Sequence, residues 1–178
     1  MVVSSATTPR PSSRAVATSS AMVIGNVDGR LTRCEVYCGP MTSPDIDWNL
    51  LRERARASAA KAYAPYSHVT VGAAALASTG AIVEGSNIEN ASYGLTLCAE
   101  CSLVSDLTRS GGGRLVAVAV VAGDGEPIAP CGRCRQVLYE HGGPNVLIDG
   151  GEGQSPITLS ELLPLAFGPD DLGTRSNA

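Results

Sequence analysis

Trp48, Leu51, Ala55, Ala59 and Ala62 recur every three or four positions among polar residues, the spacing of one helix face. They predict a helix from about 44 to 63. Ser43, Pro44 and Asp45 stand at its start, where a cap, a ring without an N–H and a negative charge each suit the positive end of a helix. Ala64-Pro65-Tyr66-Ser67 ends it. Val69 to Ala77 then reads as a buried strand, Ser78-Thr79-Gly80 as a hairpin turn, and Ala81 to Ile88 as the paired strand. A second helix is predicted from Cys98 to about Arg109, stopped by Gly111-Gly112-Gly113. Leu115 to Ala122 is apolar throughout, as a central strand covered on both faces would be. Pro130 precedes a third helix from Cys131 to about His141, closed by Gly142-Gly143. A short strand at Asn145 to Asp149 and a last helical turn or two at Ser160 to Leu165 complete the pattern. Alternating strands and helices imply a three-layer α/β/α domain around a central mixed sheet.

Residues 1–44 differ from the rest. They are rich in Ser, Thr, Ala and Pro, and no acidic residue precedes Asp28. Little in them can pack, so a disordered or loosely ordered N-terminal extension is expected over 1–44, a domain over 45–172 and a short tail over 173–178. The extension weakly resembles an organelle transit peptide, and an upstream translation start ahead of Met41 accounts for it equally well. The apolar run Ala21 to Ile24 is too short for the core of a signal peptide.

Composition narrows the picture. A chain of 178 residues, 44% hydrophobic, can bury one sizeable core. It has 23 alanines and 4% aromatics, so closely packed helices are expected, with burial completed by partner subunits. A net charge of −4 argues against a polynucleotide groove or an anionic membrane surface, and leaves a small-molecule pocket open. The apolar run at 115–122 is too short to cross a bilayer. A cytoplasmic protein is expected.

The six cysteines are Cys34, Cys38, Cys98, Cys101, Cys131 and Cys134. An even count fits disulfides in a secreted chain, but two C-x-x-C pairs without a signal peptide read first as metal ligands. Cys34 and Cys38 lack partner ligands and read as free thiols. By spacing alone, the other four compose a closed structural zinc site. A second arrangement is open. Cys131 and Cys134 share a helix face, and Cys98 at the neighbouring helix start supplies a third sulfur. The positive end of a helix favours thiolates, and a thiolate-rich, redox-inert tetrahedral site points to Zn²⁺. Three protein ligands leave a fourth position for water, and Glu100, two residues beyond Cys98, can carry its proton. Three thiolates on Zn²⁺ sum to −1, an excess that Arg133 or Arg135 could offset if either faces the site. His68 and His141 lack metal-binding partners, and His141 reads as a partner of a helix C-terminus.

Cys98-Ala99-Glu100 with Pro130-Cys131-Gly132-Arg133-Cys134-Arg135-Gln136 resembles the zinc-dependent cytidine deaminases of the small homotetrameric class. Asn87-Ile88-Glu89-Asn90-Ala91, Pro65-Tyr66-Ser67-His68 and the tail Leu162-Leu163-Pro164 to Phe167-Gly168-Pro169 extend the resemblance over about 45–172. It implies the cytidine deaminase-like fold and hydrolytic deamination of cytidine and 2′-deoxycytidine to the uracil nucleosides and ammonia, in pyrimidine salvage. It also implies one Zn²⁺ per subunit on Cys98, Cys131 and Cys134, with Glu100 as the catalytic acid/base. Asn87 and Glu89 resemble the groups that bind ribose hydroxyls, Ala91 the position whose backbone contacts the base amide, and Tyr93 a pocket residue near the sugar. Phe167 resembles the aromatic that stacks on the pyrimidine in a neighbouring subunit, so a homotetramer with shared active sites is implied.

The chain departs from the family pattern twice. Val69 stands where the family often has Phe, which shrinks one stacking face, and Cys101 stands where many members carry an Arg that bonds the thiolates. The rival readings are a deaminase of another aminopyrimidine, such as a blasticidin-type antibiotic, a polynucleotide editor, and the structural zinc module.

Overall fold

The computed structural model describes residues 26–27, 30–31 and 45–173. The chain divides into two units, Met1–Pro44 and Asp45–Ala178. In the first, β1 (Asn26–Val27) and β2 (Arg30–Leu31) pair antiparallel. Apart from those residues, the expected loose extension lies outside the described residues, as do Cys34, Cys38, Met41, Ser43 and Pro44.

In the second unit, α1 (Trp48–Ala59) is shorter at both ends than the helix expected over about 44 to 63. Asp47 caps it, with Oδ1 accepting from the Leu50 N–H at 2.9 Å. β3 (Val71–Ala77) and β4 (Ile82–Ser86) form the expected hairpin, each shorter than expected at the end away from the turn. The turn closes through Ala77 N–H to Ala81 O at 2.8 Å, and Gly80 sits at φ +84°, where a side chain would be strained. α2 (Ala99–Arg109) is followed by three glycines at positive φ. β5 (Leu115–Ala122) has the bounds of its apolar run. α3 (Gly132–Gly142), β6 (Leu147–Ile148), β7 (Ile157–Thr158), α4 (Leu159–Leu162) and α5 (Pro169–Gly173) follow. β7 and α5 have no counterpart in the sequence pattern.

The five strands of this unit lie in the order β4-β3-β5-β6-β7, with β5–β6 parallel and the other pairs antiparallel. The sheet is therefore mixed. Along β5 the side chains alternate between two cores. Ala117, Ala119 and Val121 pack with Leu51, Ala55 and Ala59 of α1, while Val118 and Val120 pack with Leu103 and Leu107 of α2, Leu138 of α3 and Leu159 of α4. Small residues bring the helices close. A Cβ on Gly72 would lie 1.9 Å from the Ala55 carbonyl oxygen, and one on Gly85 would lie 2.3 Å from that of Ala99. A buried ion pair closes the α1 side. Arg52 Nε and Nη2 donate to Asp149 Oδ2 and Oδ1 at 2.7 Å each, and Nη2 also donates to Gly151 O at 2.9 Å.

Strand direction places the site. β4 and β5 are both antiparallel to β3, so they run the same way. The chain leaves both at one end of the sheet, and the next helix in each case, α2 or α3, begins there. Crevices at the carboxyl ends of strands are where α/β sheets bind ligands.

Candidate active site

Cys98 is the N-cap of α2 and Cys131 the N-cap of α3, with Cys134 one turn into α3. Their three sulfurs lie within 4.8 Å of one another, and Cys98 Sγ is 4.0 Å from Cys131 Sγ. Two sulfurs bound tetrahedrally at about 2.3 Å from one zinc are about 3.8 Å apart, so the cluster fits the ion. Cys134 is fully buried, Cys98 half-buried and Cys131 exposed, so access comes from one side. Among the described residues this is the one group of His, Cys, Asp and Glu side chains able to hold a metal. Cys101 is outside it. Its partly exposed sulfur accepts from Arg133 Nη2 at 3.5 Å, so the fold does not build the closed four-cysteine site.

Burial pushes all three thiols up. At Cys131 the Cys134 backbone N–H and the neighbouring sulfurs outweigh it, and this thiol falls below its ordinary range. At Cys98 and Cys134 burial prevails, reinforced by the Glu100 charge, and both rise. A bound cation must therefore displace protons from at least two sulfurs, which ties metal affinity to pH.

Glu100 lies in the first turn of α2, 4% exposed, at the positive end of the helix. It lines a cavity of about 220 Å³ together with Cys98, Cys131, Asn87, Val71 and Ile128. No Arg or Lys pairs with it among the described residues. Asn87 is buried, and half of its amide is already engaged, with Oδ1 accepting from Val71 N–H at 2.8 Å and Nδ2 donating to Val69 O at 2.9 Å. One N–H and one lone pair remain for a ligand.

A second cavity, of about 310 Å³, is lined by Tyr66, Ser67, Glu89, Tyr93 and Thr96, and Thr96 lines the first as well. Glu89 Oε2 accepts from the N–H groups of Tyr66 and Ser67 at 2.9 and 3.2 Å, while the Ser67 hydroxyl donates to Oε1. The Ser67 hydroxyl, then the Tyr66 N–H, hold this carboxyl below its usual range. The Tyr66 and Tyr93 rings are 6.2 Å apart. Among the sequence-derived candidates, Glu100, Cys98, Cys131 and Asn87 line the first cavity, with buried Cys134 behind it in the sulfur cluster, and Glu89 and Tyr93 line the second. Ala91, Val69 and Phe167 line neither, and the Phe167 ring is 52% exposed. Val71, Thr96, Leu97 and Ile128 line the first cavity without having been anticipated, because isolated apolar residues and a lone Thr between motifs carry no chemical signal. Arg135 turns from the sulfurs, donating to Pro130 O and Leu162 O at 2.8 Å each.

Three sulfurs gathered at two helix starts, with a buried carboxyl beside them at the carboxyl ends of the strands, define a zinc-dependent hydrolase. Residues 47–149 match the family model of the cytidine and deoxycytidylate deaminase zinc-binding region. The chain belongs to that family. It is similar to the cytidine deaminase of Mycobacterium tuberculosis, 59% identical over 129 residues that cover 72% of this chain and 96% of that one. The cytidine deaminase of Halalkalibacterium halodurans is 43% identical over 130 residues, 71% of this chain and 98% of that one. The crystal structure of the Mycobacterium tuberculosis cytidine deaminase superposes with a TM-score of 0.67 at 58% identity, covering 70% of this chain and 99% of that one.

Proposed function

We infer that the chain converts cytidine and 2′-deoxycytidine, with water, to uridine and 2′-deoxyuridine and ammonia, within pyrimidine salvage. The observation that carries this is the buried, cation-free Glu100 sharing a cavity with Cys98 and Cys131, two members of a three-sulfur cluster. Cys98, Cys131 and Cys134 would hold the zinc. When bound, zinc supplies a Lewis acid that makes water a nucleophile near neutral pH.

Glu100 does the proton work. Burial keeps bulk water from competing, and no cation locks the carboxylate in place, so it can take a proton from the attacking water and pass it to N3 of the pyrimidine, then take the remaining proton of the added hydroxyl and pass it to the departing amine. The smaller cavity, lined by Val71, Leu97 and Ile128, suits the base, with Asn87 also in its lining. The second cavity suits the sugar, where Glu89 is held ionised as an acceptor for a hydroxyl and Tyr93 forms a wall. The backbone of Ala91 is assigned to the base amide, and Val69 to a reduced stacking face. The deaminase domain is assigned to 45–172.

Phe167 is assigned to a neighbouring subunit's site in a homotetramer. Its ring is half-exposed and outside its own chain's cavities, while Gln136 Nε2 holds its carbonyl at 2.8 Å. Among the described residues no helix is long and apolar enough to cross a membrane, and the protein is assigned to the cytoplasm. Loss of cytidine ultraviolet absorbance with equal release of ammonia tests the activity. Chelation should abolish it and zinc restore it. Turnover of a blasticidin-type nucleoside or of single-stranded polynucleotide in place of cytidine would overturn the assignment.

A further inference from the structure

Three thiolates around one divalent cation carry a net negative charge that the protein must offset. Arg133 stands on α3 between Cys131 and Cys134, and its side chain reaches across to the segment that bears the third sulfur. Nη1 donates to Thr96 O at 3.4 Å and Nη2 to Cys101 Sγ at 3.5 Å. Thr96 lies two residues before Cys98, and Cys101 one residue after Glu100. The guanidinium fork therefore straddles the stretch that carries both a metal ligand and the proton carrier.

Other arginines of this unit are engaged elsewhere, Arg56 among them, which donates to Gly125 O. Arg135 holds Pro130 O and Leu162 O, while Arg52, Arg54 and Arg109 pair with Asp149, Glu84 and Asp106. An isolated exposed arginine is ordinarily a solvated one. Arg133 differs in having both arms of its fork engaged on a second helix and its approach.

We propose that Arg133 is a positioning residue of the zinc site, clamping the Thr96–Cys101 segment to the start of α3 and setting a positive charge beside the three sulfurs. Two contacts then link the helices that share the ion, and Cys101 acts as an anchor for the clamp rather than as a fourth ligand. The proposal rests on the zinc reading of the site.

The test is zinc transfer from the loaded full-length protein to a chromogenic chelator, at low and at high salt. Partners outside the first coordination sphere typically tune metal affinity by about 10–100-fold. Arg133→Gln should release zinc about tenfold faster at low salt, and the gap should narrow near 1 M salt, where charges are screened within about 3 Å. Arg133→Lys, which keeps the charge and loses the fork, should recover part of the difference. Cys101→Ala should speed release less than Arg133→Gln does, and it decides the matter if Arg133→Gln does not fold. Release at the wild-type rate from Arg133→Gln, or from Cys101→Ala where that variant decides, overturns the clamp. A salt-independent loss without recovery by Lys overturns the charge role. A wild-type chain that holds no zinc would instead sink the site reading itself.

Discussion

Asp149 and Glu100 are both buried carboxylates, 9% and 4% exposed, yet the protein surrounds them in opposite ways. Asp149 is fully matched. Arg52 meets both of its oxygens, and Gly151 N–H donates to Oδ1 at 3.1 Å. Such a group is locked, and its contribution is to hold the loop after β6 against α1. Glu100 has no cation, only the positive end of α2 and the neighbouring thiols. Leaving a buried carboxyl unmatched costs stability, and it leaves the proton free to move. The contrast separates a structural acid from the one proposed to carry the chemistry.

Substituting each acid isolates the two roles. Glu100→Gln should lower turnover of cytidine by about 10²–10⁴-fold, the range of a positioned acid/base, while zinc content stays at the wild-type level. Its urea midpoint should hold or rise, since no ion pair is broken. Asp149→Asn should do the reverse, costing about 3–5 kcal/mol in urea unfolding because the Arg52 charge is stranded in the interior. Equal destabilisation by both substitutions would erase the distinction.

Glu89 is the intermediate case, an acid held by neutral donors. Its folded-state pKa is depressed, so the stability it contributes is present above the unfolded-state value and is lost as pH falls through the folded one. Ser67→Ala should move its titration midpoint upward in a carboxyl-resolved NMR titration, the smallest of these effects. An unmoved midpoint would remove Ser67 as the principal donor.

How much of this the sequence discloses depends on the range of the interaction. β5 is readable to the residue because a strand buried on both faces must be apolar at every position. The starts of α2 and α3 are readable because the cysteines that cap them also carry the chemistry. The start of α1 is not, because Ser43 suits a cap as well as Asp47 does, and the choice of Asp47 lies in local geometry. β7 is two residues long and shows no period. The partnership of Arg52 with Asp149 spans 97 residues, and the reach of Arg133 to Cys101 spans 32, distances over which no local pattern operates. The spending of half the Asn87 amide on the backbone of Val69 and Val71 is hidden for the same reason.

Three sulfurs, and not four, are expected to hold the ion beside Glu100. Zinc K-edge X-ray absorption on the zinc-loaded protein tests it directly. The expected spectrum has three sulfur scatterers at about 2.3 Å and one lighter oxygen or nitrogen neighbour. Four sulfur scatterers, with Cys101 drawn in, would contradict it.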